Sequence, residues 1–332
     1  MSEIIEWEPV MKIFIIDPIS EKGHFNFNNK IISQLSSYSK IKYHSILKND
    51  FIEYLDLLSP FCKRLINLNI RIKYFLYLNY LIKTQSLEDY DKILFLAYET
   101  ISFSLAANML FYRNIYIIEH NNIDQIQNSW IKYIYFRAIP SNIKHIVFEK
   151  YIVLFLRREF NKKTYYYPHP IIEKTISNKT KSTNVVFAPS LSNNKQIADK
   201  LINYISKNKK FELIMKGSDQ IEFPNIVIKP FFNNYFDNIR NAKFVFIGSL
   251  FNYRVSGVAI DSLALKTPII GFKCRLMIEM KKKYPSLVFI IENIDELNSI
   301  ALNKNNINGD YDKFIQLHND DEKLYNILQY ST

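Results

Sequence analysis

Glycine is scarce in this chain of 332 residues: there are six, and none forms G-x-G-x-x-G or G-x-x-x-x-G-K-[ST]. Both motifs need glycines at fixed spacing so that backbone N–H groups can close on a phosphate, so a dinucleotide fingerprint and a P-loop are set aside. Cysteine is scarcer still. Cys62 and Cys274 stand far apart and make no C-x-x-C pair, which argues against a disulfide framework and a thiolate zinc site and fits a reducing compartment. No H-E-x-x-H occurs either. The first residues, MSEIIEWEPV, are acidic where a secretory leader is basic, so a cytoplasmic protein is expected. Long apolar runs are missing as well: Glu99 interrupts the longest low-charge stretch, 94–112, and no transmembrane helix is expected.

Positive charge, by contrast, is in excess. Lys and Arg number 43 against 32 Asp and Glu, a net charge of +11, which favours an anionic partner such as a nucleotide diphosphate or an anionic membrane surface. Nucleic acid is set aside because no compact basic block or reading motif occurs. Asn, Ile, Lys, Tyr and Phe are enriched together, a genome-type bias, so part of the lysine excess carries no function. The stretch 65–83 interleaves Arg71, Lys73 and Lys83 with apolar residues. It reads as a helix packed on its domain, with a membrane-facing helix at the inner face of the cell membrane as the alternative.

The length suits two α/β domains. Apolar runs at 12–16, 41–45, 92–97, 115–118 and 145–148 alternate with helical patterns, which predicts a parallel sheet covered on both faces. Pro168-His169-Pro170 then stiffens the chain into a hinge. Strands recur at 185–188, 211–215, 226–228, 243–247 and 288–291, with a terminal helix at about 310–328. The segment 243–271 is the most informative: a buried strand, a break at Gly248-Ser249, a loop with Tyr253 and Arg254, then a helix start at Ser256-Gly257-Val258. Asp261 follows one turn later, and Pro268 precedes the next strand. Ser256 is a good N-cap, and Gly257 has no Cβ to keep an anion away from the unpaired N–H groups of the first helical turn.

This segment resembles the donor-site signature of GT-B glycosyltransferases, above all the retaining group that assembles bacterial surface polysaccharides. In that family a loop and helix N-terminus hold the diphosphate of a nucleotide sugar, and an acid in the helix holds its ribose. The family has two glutamates eight positions apart; here Asp261 is the second, and Tyr253 stands at the first. The resemblance implies two Rossmann-like domains facing each other across a cleft: an acceptor domain at 1–170, a donor domain at 171–310, and a helix at 311–332 crossing back. It implies a sugar transfer from a nucleotide sugar to a glycan or lipid-linked glycan, with no cofactor and no metal.

The same resemblance assigns roles. Arg254 and Lys195, with Ser190 or Ser192 as neutral donors, hold the diphosphate. Lys216 and Gly217 form a turn beneath the base, near Phe231-Phe232. Glu119 and His120, directly after a strand, match the acceptor-domain turn near the transferred sugar: His120 as a bond to the sugar, weighed against capping the helix at Ile123, and Glu119 as its orienter or a base. Glu149, after the next strand, reads first as a helix-start acid. His24 lies in the first loop. Asp89-Tyr90-Asp91 and Asp310-Tyr311-Asp312 are D-x-D motifs off the strand ends, read as turn and capping acids and not as metal ligands. A nucleotide-sugar epimerase of the same fold and a non-catalytic binding protein are the alternatives.

Overall fold

The computed structural model describes residues 10–19, 24–110, 114–172, 184–191, 194–218, 221–300, 302 and 304–331. The chain divides into two compact units, one of Met1–Pro168 with Asp321–Thr332, the other of His169–Asp320.

The first unit runs β1 (Lys12–Asp17), α1 (Phe25–Ser36), β2 (Lys40–Ser45), α2 (Asn49–Asp56), α3 (Pro60–Leu68), α4 (Ile70–Thr84), β3 (Lys92–Phe95) and α5 (Thr100–Ala107). It continues through β4 (Ile115–Ile118), α6 (Asn122–Gln127), α7 (Trp130–Ala138), β5 (Lys144–Val147), α8 (Lys150–Phe160) and β6 (Lys163–Tyr166). Its sheet has the order β2-β1-β3-β4-β5-β6, and every pairing is parallel. Strands covered on both faces need apolar side chains throughout; β4, Ile-Tyr-Ile-Ile, is buried at every position. The edge strand β6, Lys-Thr-Tyr-Tyr, has no such run, and its sequence reads as an exit from the domain and not as a strand.

The second unit runs β7 (Val185–Ala188), α9 (Lys195–Lys207), β8 (Glu212–Lys216), β9 (Ile221–Phe223), β10 (Ile226–Lys229), α10 (Tyr235–Asn241) and β11 (Phe244–Ile247). Then come α11 (Gly257–Ala264), β12 (Ile269–Phe272), α12 (Arg275–Lys283), β13 (Val288–Ile291) and α13 (Lys304–His318). Its sheet order is β13-β12-β11-β7-β8-β10-β9, parallel except for the edge strand β9, which pairs antiparallel with β10. Two buried clusters flank this sheet. One gathers Val245, Leu263 and Met277 with Phe314 of α13, the other Leu201, Ile205 and Phe246. Gly271 is needed where strands crowd: a Cβ there would lie 2.6 Å from the Ile247 carbonyl oxygen.

The expected single terminal helix is two. Helix α13 belongs to the second unit, and after Asn319 and Asp320 the chain enters α14 (Lys323–Tyr330) of the first. There Leu324 and Leu328 are fully buried, and Asp321 accepts from Lys30 Nζ at 3.0 Å and Gln34 Nε2 at 2.5 Å. The Ser331 carbonyl accepts from Lys144 Nζ at 2.7 Å and Tyr116 Oη at 3.1 Å. Burial, with Lys163 nearby, lowers the Lys144 pKa from the ordinary lysine value.

Candidate functional site

In open parallel sheets, ligands bind outside the carboxyl ends of strands at the point where the winding reverses. In the second unit that point lies between neighbours β7 and β11: β7 winds through α9 to β8 on one side, β11 through α11 to β12 on the other. Their trailing turns touch, because a Cβ on Gly248 would run into the Leu191 side chain. Any side chain at Gly248 would have to displace buried Leu191 where the post-β11 turn meets the post-β7 turn.

Most of the donor-site residues expected from sequence lie on these two turns. Ser190 follows β7, with its Oγ buried and without a hydrogen-bond partner among the described residues. Lys195 is exposed at the first position of α9, which is capped by Asn194 Oδ1 accepting from Ile197 N at 3.3 Å. Ser192 lies outside the described residues. On the other turn, Tyr253 is half-buried and the Arg254 guanidinium sits 4.9 Å over the Phe251 ring. Buried Ser256 caps α11 by accepting from Ala259 N at 3.3 Å. A Cβ built on Gly257 would meet no atom within 4 Å, so this glycine fills no packing need and leaves the helix start approachable. Val258 beside it is half-buried.

Asp261, one turn into α11, is 9% exposed. Its Oδ2 accepts from the Tyr235 hydroxyl of α10 at 3.1 Å. Burial first, and then the Asp261 charge, push the Tyr235 phenol far above its ordinary pKa, so it stays a hydrogen-bond donor. Tyr235 was not legible as a site residue, since an aromatic on a helix face reads as core. One strand further along, Lys216 Nζ lies 5.8 Å over the ring of exposed Phe231. The Gly217 N–H donates to the Lys229 carbonyl at 3.1 Å, extending the β8–β10 ladder by a residue.

In the first unit the winding reverses between β1 and β3. His120, after β4, is tied to the turn after β3: its Nε2 donates to the Leu96 carbonyl at 2.9 Å, which in the neutral ring makes Nδ1 the acceptor. Its ring lies 4.7 Å from that of His24, 4.8 Å from Phe27 and 5.4 Å from Phe148. Three strand ends thus meet at this histidine. Gly23 lies outside the described residues. Beneath, Asp17 at the end of β1 is fully buried and accepts from Asn28 Nδ2 at 2.5 Å.

Glu119 requires a correction. It lies in the interior, 3% exposed, with Oε1 accepting from Tyr98 Oη at 2.6 Å and from His145 Nδ1 at 2.7 Å. Alternation along the chain turns Glu119 inward where His120 turns outward, so it is no base at the sheet mouth. Burial foremost, with the Glu119 charge, holds the Tyr98 phenol well above its usual range. Nearby Lys162 donates to the carbonyls of Arg137 and Ile139. Burial lowers its pKa to about 8 against the opposing pull of Glu119. His145, buried inside β5, was missed; two adjacent polar residues, Lys144 and His145, at the start of a run that continues Ile-Val-Phe were the available signal. Glu149 occupies the N-cap of α8 and is buried.

The D-x-D acids are engaged elsewhere. Asp91 Oδ2 accepts from Lys12 N at 2.7 Å, and Asp310 Oδ2 from Ser286 N and Oγ at 2.6 Å. Among the described residues no group of three or more His, Cys, Asp or Glu is placed to hold a metal ion.

No family model matches the sequence, and no curated protein matches it. Solved structures do. A glycosyltransferase from Rickettsia africae superposes over 98% of this chain and 100% of its own, with a TM-score of 0.66 at 12% identity. Sucrose-phosphate synthase from Thermosynechococcus elongatus covers 97% and 100% at 0.68 and 13% identity. The fold is GT-B. Another protein that superposes on this GT-B chain, a UDP-N-acetylglucosamine 2-epimerase from Rickettsia bellii, covers 97% of each chain at a TM-score of 0.60 and 15% identity. At such identities the likeness establishes the fold, and the chemistry has to be argued from the strand-end residues.

Proposed function

We propose that this GT-B protein is a glycosyltransferase that moves a sugar from a nucleoside diphosphate to a glycan or lipid-linked glycan, in assembly of a bacterial surface polysaccharide. One observation carries the reading. At the reversal point of the second sheet, an eight-residue helix begins on a capped serine and an unobstructed glycine, with a buried acid one turn on. That arrangement suits a diphosphate at the N-terminus of α11 and ribose hydroxyls at Asp261.

In the proposed reaction the bond between the sugar C1 and the diphosphate oxygen breaks as the acceptor hydroxyl oxygen bonds to C1, and the hydroxyl proton passes to the departing diphosphate. The leaving diphosphate gains negative charge. Arg254, Lys195 and the N–H groups of α11 neutralise it without a metal, which lowers the barrier because the donors are fixed beforehand. Ser190 and Val258 border the phosphates, Lys216 and Gly217 the base. His120 is assigned to the transferred sugar, and Tyr253 to the position where relatives of this fold place an acid.

The test is nucleoside diphosphate release from a panel of nucleotide sugars, with and without glycan acceptors. Acceptor-dependent release supports transfer. Release without acceptor, with a rearranged free sugar, points to epimerisation, and absence of binding to every donor sinks the enzyme reading. Asp261→Ala with Arg254→Ala is expected to cut kcat/KM at least about a hundredfold, as loss of a charge-assisted contact to each half of the donor would.

A further inference from the structure

Helix α7, Trp-Ile-Lys-Tyr-Ile-Tyr-Phe-Arg-Ala, has its apolar residues on the wrong side for a helix that only packs on a sheet. Phe136 is buried as usual, but Trp130 is 73% exposed and Ile134, one turn on, 53%. Ile131 and Tyr133 are exposed too. The neighbouring helix α5, packed directly against α7, presents Leu105 and, just beyond its end, Met109 to solvent. Isolated exposed apolar residues are ordinary; a Trp, two Ile, a Leu and a Met on one helix pair are a patch that calls for a partner.

Charge identifies the partner. Helices α3, α4, α5 and α7 form consecutive contacts along this side of the first sheet, and none of the four contains an Asp or a Glu. They carry Lys63, Arg64, Arg71, Lys73, Lys83, Lys132 and Arg137, of which Lys63 pairs with Asp56 and Arg71 with Glu99. A protein partner with an apolar face is served by a neutral rim as well as by a basic one. Tryptophan and isoleucine flanked by the lysine and arginine of an acid-free helix, on a layer that stays net basic after Glu99 and Asp56 pair with Arg71 and Lys63, match instead the boundary between anionic headgroups and acyl chains. The segment 65–83, where sequence alone offered a membrane-facing helix, contributes only its charged start: α4 buries Tyr77, Leu78, Tyr80 and Leu81 in the core. The apolar insertion belongs to α7.

We propose that the α5–α7 face of the first unit docks on an anionic lipid surface, with Trp130, Ile131 and Ile134 entering the headgroup boundary and Lys132 and Arg137 pairing with lipid phosphates. Docking holds the protein at the surface where a lipid-linked acceptor resides.

The chain has two tryptophans, so Trp7→Phe in the full-length protein makes Trp130 the sole reporter. With vesicles containing phosphatidylglycerol, its emission shifts to the blue and the protein co-sediments. Pure phosphatidylcholine vesicles bind far less, and added salt weakens the binding. Trp130→Ser with Ile134→Ser lowers vesicle affinity by about tenfold or more and leaves the thermal midpoint unchanged, since both side chains face solvent. Lys132→Glu with Arg137→Glu lowers it similarly. Failure to bind anionic vesicles overturns the proposal, as does binding that both double variants leave intact. Self-association abolished by Trp130→Ser/Ile134→Ser, without vesicle binding, assigns the face to a second copy and also overturns it. Donor binding that persists when vesicle binding fails leaves the transferase reading standing.

Discussion

In the proposed donor site, the hydrogen bond from Tyr235 sets how well Asp261 can serve a ribose. With the phenol held at 3.1 Å from Oδ2, the carboxylate has a single orientation and does not need to be frozen when ribose arrives. Tyr235→Phe keeps the ring against Phe187 and Phe236 and removes only the hydroxyl. Affinity for a nucleoside diphosphate is expected to fall roughly tenfold, in line with a hydrogen bond to a charged group. Affinity for the 2′,3′-dideoxy analogue should be unchanged. Calorimetric titration of both ligands checks this; equal losses would place the effect in packing and not in Asp261. Residue-scale chemistry was the least legible part of the sequence. Glu119 and His120 are adjacent and both polar, yet one is sealed against Tyr98 and His145 while the other faces two aromatic rings and a second histidine. Only the pleat, invisible until β4 and β5 are registered, separates them.

At the scale of elements, the proposed site divides the requirements on α11 between folding and binding. Ser256 serves the helix, through its bond to Ala259 N, whereas Gly257 serves nothing within the protein, because a Cβ there meets no neighbour within 4 Å. Gly257→Ala should therefore leave stability unchanged or raise it by about 0.5 kcal/mol, as alanine is the better helix former. Nucleoside diphosphate affinity should drop by about tenfold or more, as the methyl group takes the space of the phosphate. Thermal melting and a binding titration on the same protein read the two quantities, and parallel losses in both would contradict the assignment. This element was legible in advance because its cues are local: an apolar run, a glycine break, a serine cap. Strand β6 was not, since an edge position tolerates Lys163 and Thr164 and erases the apolar run that marks an interior strand. Strand β9, three residues at the other sheet's edge, escaped for the same reason.

At the scale of the whole molecule, the first unit is discontinuous in sequence: its sheet is made by the early chain, while α14 comes from residues after the second unit. Ending the chain after Asp320 removes Leu324 and Leu328 from their buried sites and takes away the Ser331 acceptor of Lys144 and Tyr116. Two buried leucines at about 2–5 kcal/mol each are comparable with the whole margin of a typical domain, about 5–15 kcal/mol. The truncated protein is expected to melt in two steps, with the first-unit transition shifted down by well over 10 °C and the second-unit transition kept. Differential scanning calorimetry with hydrogen exchange distinguishes the two. Periodicity did show a helical terminus, but not its break at Asn319 and Asp320, because His318 and Phe314 continue the pattern until tertiary contacts divide them. The same discontinuity orders events during synthesis. A ribosome delivers the sheet of the first unit early and its closing helix only after some 150 further residues of the second unit. Through that interval Lys144 and Tyr116 await their acceptor and an apolar groove stands open.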